Sequence, residues 1–243
     1  MPSYESYSGA LQRVIEEVVA PGAGEVDATG GFPRKQIEAL ADAGLLALTV
    51  PSESGGAGAG LREAASVVRE LGAVCGSTAM VVTMHYAATA ALAAGGPRDP
   101  LADIAAGRHL STLAFSESGS RSHFWAPLGT ATTGDGADIR LDASKSWVTS
   151  AGQADSYVWS SKPLAAPGPM TLWLVPDGAA GLTVAGPFDG LGLRGNASAP
   201  MSADGVRVTP EAMIGADGAG LDLALAAVLP VFLICNASAS AWE

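Results

Sequence analysis

Leu113-Ala-Phe-Ser-Glu-Ser-Gly-Ser-Arg-Ser-His123 and Lys145-Ser-Trp-Val-Thr-Ser-Ala-Gly152 mark where the 243-residue chain changes texture. Before residue 110 the apolar residues recur at helical spacing; beyond it, short runs rich in β-branched and aromatic residues alternate with turn signals. The two stretches therefore lie where a helical layer hands over to a sheet, and a ligand is expected at that junction.

Toward the N-terminus, Leu11, Val14, Ile15, Val18 and Val19 form one face of an amphipathic helix that Pro21-Gly22 is expected to end. Pro33 opens a second helix carrying Ile37, Leu40 and Ala41 inward as far as Gly44. The loop Ser52-Glu-Ser-Gly-Gly56-Ala-Gly58-Ala-Gly60 holds so many glycines that its backbone must turn sharply or approach another segment closely. Helices follow at about 61–71, 77–94 and 100–107, the second so rich in Ala, Val and Met that it reads as a buried central helix.

Toward the C-terminus, Thr130-Ala-Thr-Thr, a Gly134-Asp135-Gly136 turn and Ile139-Arg-Leu-Asp make a hairpin. Strands are then expected at 146–149, 156–160, 170–175, 181–184 and 199–208, a spacing that suits a barrel or sandwich. From Gly218 the helical period returns, with Leu221, Leu225, Val228 and Leu229 on one face that nothing in the chain covers, so an interface is expected there.

Composition narrows the function classes. The balance of 13 Lys+Arg against 24 Asp+Glu, a formal charge of −11 with no basic run, argues against nucleic acid or an anionic membrane as partner. Cys75 and Cys235 stand far apart in apolar surroundings, as buried free thiols do. The N-terminus lacks a basic region followed by an apolar block, so no signal peptide is expected and a cytoplasmic location is. The apolar run 223–235 falls short of a membrane span of about 20 residues and contains Pro230. No P-loop, Gly-x-Ser-x-Gly, dinucleotide fingerprint or metal-ligand spacing around His85, His109 and His123 occurs.

Read together, four motifs in order resemble the acyl-CoA dehydrogenase family of flavoproteins. They are Val50-Pro-Ser-Glu-Ser-Gly-Gly56, Phe115-Ser-Glu-Ser-Gly-Ser-Arg-Ser-His123, Lys145-Ser-Trp-Val-Thr149 and Gly192-Leu-Arg-Gly-Asn-Ala-Ser198. The resemblance implies an α+β fold: an N-terminal all-helical domain over 1–110, a small antiparallel β-barrel domain over 111–215 and the start of a C-terminal helical domain over 216–243. It implies FAD as cofactor, with Phe115, Ser116, Gly119, Ser122, Trp147, Val148 and Thr149 around it. In that arrangement main-chain groups at Phe115 and Ser116 meet the pyrimidine edge, Trp147 packs on the ring, Thr149 reaches toward N5 and Ser122 lies near the phosphates. Those residue types suit a flavin, whose reduced form gathers electron density that N–H groups and a hydroxyl stabilise and whose ring is apolar.

Met84, His85, Arg121, His123 and Phe124 are candidates to line the substrate pocket, although a satisfied core histidine is the preferred reading of His85. Arg194 either supports the cofactor at a subunit contact or is a solvated surface residue. The implied reaction is FAD-dependent α,β-dehydrogenation of an acyl thioester, with CoA as a carrier, in a homo-oligomer joined through the C-terminal helical region. The catalytic base of the family is expected beyond Glu243. Where the family has Asp, this chain has the bulkier Ser122-His123-Phe124-Trp125 rim, which keeps open a flavin-dependent monooxygenase of the same fold. A noncatalytic or heteromeric subunit needing a partner chain is the other alternative.

Overall fold

The computed structural model describes residues 4–121, 123–134, 136, 138–186 and 190–240. As expected, the chain is helical up to residue 105 and enters its first strand only at Ser111. Helix α1 (Tyr4–Val14) does not stop at Pro21: it runs through a π-helical turn, Ile15–Val19, into α2 (Ala20–Thr29). A proline ring collides with the carbonyl four residues back and offers no N–H, and the widened turn just ahead of Pro21 gives it room in the first turn of α2. The same device recurs at the other end, where the π turn Ala224–Val228 precedes Pro230.

Helices α3 (Arg34–Asp42), α4 (Leu61–Gly72), α5 (Gly76–Gly95) and α6 (Arg98–Ala105) complete the helical layer. The central position of α5 is borne out: fourteen of its residues are buried, leaving no polar face. The glycine-rich loop does both things its composition implied. Gly55 and Gly58 take positive φ, and a Cβ on Gly56 would stand 2.3 Å from the Val50 carbonyl oxygen.

Among the described residues the strands form two four-stranded sheets. One has the order β1 (Ser111–Ala114), β4 (Ser156–Ser161), β5 (Thr171–Pro176), β8 (Met213–Ile214); the other has β2 (Thr130–Thr133), β3 (Ile139–Val148), β7 (Ala199–Val208), β6 (Leu182–Val184). They are not closed into the expected antiparallel barrel, and β1 pairs with β4 in parallel. The chain leaves β1 for the β2–β3 hairpin of the other sheet and returns, so β4 runs beside β1 in the same direction, as any crossover connection requires. The hairpin itself is as expected, with Thr130 opposite Asp142 and Thr133 opposite Ile139.

The expected separate strands at 139–142 and 146–149 are one ten-residue strand, β3. Two irregularities interrupt its pairing with β7. On β7, Gly205 (φ +63°) supplies an extra residue, its N–H held by the Asp142 carboxylate at 2.7 Å. On β3, Lys145 lies opposite Met201 and Val148 opposite Ala199, three residues of travel against two. A bulge of this kind reverses the alternation of side chains. Lys145 and Val148 thus both point inward and are buried, while Trp147 turns outward.

The chain ends in α7 (Gly220–Leu223), the π turn and α8 (Leu229–Ala239), one continuous 20-residue helix that packs on α4 and α5. Its inward face is Ala224, Val228, Val231 and Cys235; of the face expected to be uncovered, Leu225 is exposed and Val228 is buried. The π turn shifts the register of the helix surface, leaving Leu225, Leu233 and Ile234 exposed. This helix and α5 are each long and apolar enough to cross a membrane, α5 being mostly buried within the protein and the terminal helix mostly not.

Candidate flavin site

A cavity of about 350 Å³ opens where α5, the ends of β1 and β3 and the terminal helix converge. Met80 and Met84, one turn apart on α5, form one wall; Ala224, Val228, Leu229 and Phe232 of the terminal helix form another. The two opening stretches supply the rest, Leu113, Phe115 and Ser116 from the first and Trp147 and Thr149 from the second, together with Phe124 just past the first. Only Ser116 and Thr149 bring polar side chains to this lining, and no carboxylate or cation is among them.

The stretches are tied together along their backbones. Ser146 N–H donates to Ser116 O at 3.0 Å and Ser118 N–H to Ser144 O at 3.1 Å, making Glu117 and Lys145 a single antiparallel bridge. Beyond β3, Ser150 takes φ +58° and donates its N–H to Asn196 O at 2.9 Å, and Ala151 donates to Ala197 O at 3.1 Å. Leu193 and Ala197 also hold positive φ. Several non-glycine residues in this region on a short path is a concentration of strain of the kind found around ligand sites. Thr149 Oγ1 lies 3.3 Å from Ser198 Oγ, so the motif 192–198 is a direct neighbour of the motif 145–149.

Of the residues expected at a cofactor, Phe115, Ser116, Trp147 and Thr149 come together on the cavity. Val148 does not line it, because the bulge sends its side chain into the sheet core. Gly119 is also off the lining; it supplies a turn at φ +87° that lets Ser120 Oγ donate to Glu117 O at 3.0 Å. Ser122 and Glu243 lie outside the described residues.

Among the substrate candidates, Met84 and Phe124 line the cavity. His85 does not: it is fully buried, its Nδ1 accepts the Ser111 N–H at 3.2 Å, and its Nε2 donates to Leu46 O at 3.1 Å. Burial lowers its pKa to about 4, so it is a neutral pin between the helical layer and β1. Arg121 is exposed at φ +53°, and His123 stacks on Trp125 with ring centroids 4.9 Å apart, both outside the lining. Phe124 bridges this rim to the cavity, edge-on to Trp125 at 5.2 Å and stacked on Phe115 at 6.4 Å.

Arg194 pairs with Asp27 at 2.9 Å, both largely exposed, and borders a second cavity with Thr29, Gln153 and Ser198. Such a surface pair contributes about 0–1 kcal/mol to stability. A histidine–serine contact that the sequence did not signal, His109 Nε2 to Ser156 Oγ at 2.7 Å, sits on buried β4 with Ser111 Oγ 3.0 Å away. It ties the segment between α6 and β1 to β4, and none of these residues lines the cavities above.

Sequence reasoning also missed a buried ion pair. Lys145 Nζ donates to Glu117 Oε1 at 2.7 Å, with both side chains essentially inaccessible (0% and 2% exposed). Both residues stood inside quoted motifs, but their separation of 28 residues hides the contact. Met80, by contrast, was legible as the residue four before Met84 on the same helical face.

The residues present fit a flavin ring. Trp147, a large aromatic left 58% exposed by the bulge, lines an otherwise apolar slot to which Ser116 and Thr149 bring hydroxyl groups.

Residues 3–99 match the acyl-CoA dehydrogenase N-terminal domain and residues 112–206 the acyl-CoA dehydrogenase middle domain. A probable acyl-CoA dehydrogenase of Bacillus subtilis is 28% identical over 209 residues, covering 81% of this chain and 54% of the relative. The human mitochondrial short-chain specific acyl-CoA dehydrogenase is 28% identical over 218 residues, covering 86% of this chain and 52% of the relative. The chain thus spans about half the length of the curated relatives it matches. Butyryl-CoA dehydrogenase from Megasphaera elsdenii superposes with a TM-score of 0.88 at 21% identity, over 98% of this chain and 66% of that one, which shows the shared fold. With both domain matches in sequence order and together taking in most of its length, the chain belongs to the acyl-CoA dehydrogenase family.

Proposed function

We propose that this chain binds FAD with the flavin ring in the cavity between α5, the ends of β1 and β3 and the terminal helix, and that it serves the α,β-dehydrogenation of an acyl thioester. The observation that carries this reading is Trp147, turned out of the sheet by a bulge onto an apolar slot that Ser116 and Thr149 also line. When bound, the flavin accepts a hydride.

The chain's own residues orient and enclose. Trp147 would pack against the ring, Thr149 Oγ1 would offer it a hydrogen bond, and Ser116 would meet its polar edge. Met80, Met84, Leu229 and Phe232 keep water from the reacting carbons and leave an uncharged channel for an acyl chain. Among the described residues no carboxylate lines the cavity, so the acceptor of the α-proton is assigned to a group outside them. The names of the relatives point to CoA thioesters as substrates.

The division into units at 1–110, 111–215 and 216–243 and a cytoplasmic location belong to the same reading. So does a homo-oligomer joined through the exposed Leu225, Leu233 and Ile234 face. The stacked His123–Trp125 rim is the feature that favours the hydroxylating alternative. With the group that accepts the α-proton supplied, acyl-CoA added to the flavin-loaded protein is expected to bleach the oxidised flavin band. An unchanged band, with reduction only through an external flavin reductase and O2 consumption, contradicts the dehydrogenase reading and supports the hydroxylase.

A further inference from the structure

Both members of the buried pair Glu117–Lys145 are hydrogen-bonded beyond each other. Besides the Glu117 carboxylate, the Lys145 ammonium donates to Ser160 O at 2.7 Å and Ser160 Oγ at 2.9 Å, and it lies 5.1 Å from the centroid of the Trp159 ring. The other carboxylate oxygen of Glu117 accepts the N–H groups of Leu128 and Gly129. Gly129 is shaped to the pair, since a Cβ there would stand 2.9 Å from Glu117 Oε1 and 2.5 Å from the Ala143 Cβ.

Stability alone does not explain the arrangement. Taking two charges out of water costs about as much as their attraction returns, and apolar replacements of the same volume are often neutral or better. Burial pulls the Lys145 ammonium down to about 8, and the Glu117 carboxylate beside it opposes that fall. What a charged pair supplies and an apolar one does not is direction: short bonds with fixed angles.

Those bonds fix three segments that meet at the cavity. Glu117 follows Ser116 directly, Lys145 stands two residues before Trp147, and Leu128–Gly129 close the loop that carries Phe124. Because the bulge lies between Lys145 and Val148, the inward anchoring of Lys145 and the outward turn of Trp147 are two sides of one local geometry.

We propose that Glu117 and Lys145 are positioning residues of the flavin site, setting the Phe115–Ser116 backbone against Trp147 and Thr149 at the spacing the ring requires. This inference rests on the flavin reading above. The experiment compares wild type, Glu117→Gln, Lys145→Met and the double variant by FAD titration, thermal unfolding and hydrogen exchange at the Ser118, Leu128, Gly129 and Ser146 amides.

Each single change leaves one buried charge unpaired, so both are expected to lower the melting temperature, to speed exchange at those amides, and to raise the FAD Kd about ten- to a hundredfold. The double variant removes both charges. It is expected to recover melting temperature while keeping the weakened FAD binding and a flavin absorption band without the vibrational structure that wild type imposes. A purely structural pair predicts instead that FAD affinity returns together with stability; that outcome, or single variants binding as wild type does, overturns the assignment. Should the single variants fail to fold, the double variant decides the matter by the same comparison. A folded wild-type chain that takes up no FAD overturns the flavin reading, and this assignment falls with it.

Discussion

Trp147 and His85 show how differently two side chains of one site region are used. Trp147 is mostly exposed, so its removal costs the fold little: Trp147→Ala is expected to shift unfolding free energy by no more than about 0.5 kcal/mol. Its aromatic contact with the ring is the larger loss, and FAD affinity measured by fluorescence titration is expected to fall about tenfold, the equivalent of about 1.4 kcal/mol. His85 works the other way. In the unfolded chain it takes up a proton near its ordinary value of about 6.5, whereas in the fold it stays neutral down to about 4. The unfolded state therefore binds more protons in that window, and stability present above pH 6.5 is lost as pH falls toward 4, on the order of 3 kcal/mol in all. Urea midpoints at pH 7 and pH 5 check this: wild type is expected to lose about 2 kcal/mol between them, and His85→Gln, already weaker at pH 7, to lack that part of the slope.

Glycine, proline and bulges decide the elements. A methyl group at Gly56 would run into the Val50 carbonyl, so Gly56→Ala is expected to cost about 1–3 kcal/mol by overpacking, read from the melting temperature, with FAD affinity of the folded fraction unchanged. Much of this layer was legible in the sequence. The helices expected at 61–71 and 77–94 are found within a residue at 61–72 and 76–95, the one expected at 100–107 lies two residues earlier at 98–105, and the β2–β3 pairing is as expected, with Asp135 of its turn outside the described residues. Pro21 was not, because sequence reading treats proline as a stop and cannot see the π turn that accommodates it. The unity of β3 was hidden for a related reason: its bulge breaks the alternation that identifies a strand, and that same break places Trp147 on the cavity. The motifs located Phe115, Ser116, Trp147 and Thr149. Contacts between distant positions, such as Glu117 with Lys145 and His85 with Leu46 and Ser111, depend on how the layers pack and carry no local signature.

At the scale of the molecule, the helical layer, the ends of β1 and β3 and the terminal helix enclose an apolar slot, while the outer face of the terminal helix leaves Leu225, Leu233 and Ile234 exposed. Exposed aliphatic side chains clustered on one helix favour association. Sedimentation of the chain is expected to show a concentration-dependent shift to a larger species, and the Leu233→Glu, Ile234→Glu variant to remain monomeric; a wild type that stays monomeric at all concentrations contradicts this. The slot itself is tested most directly by titrating the folded chain with FAD. Saturable uptake near one FAD per chain, with quenched flavin fluorescence and strong weakening on combining Trp147→Ala with Thr149→Val, is the expected result. A chain that is folded by circular dichroism and leaves FAD free, or that binds it equally well without Trp147 and Thr149, contradicts the assignment of the flavin to this site.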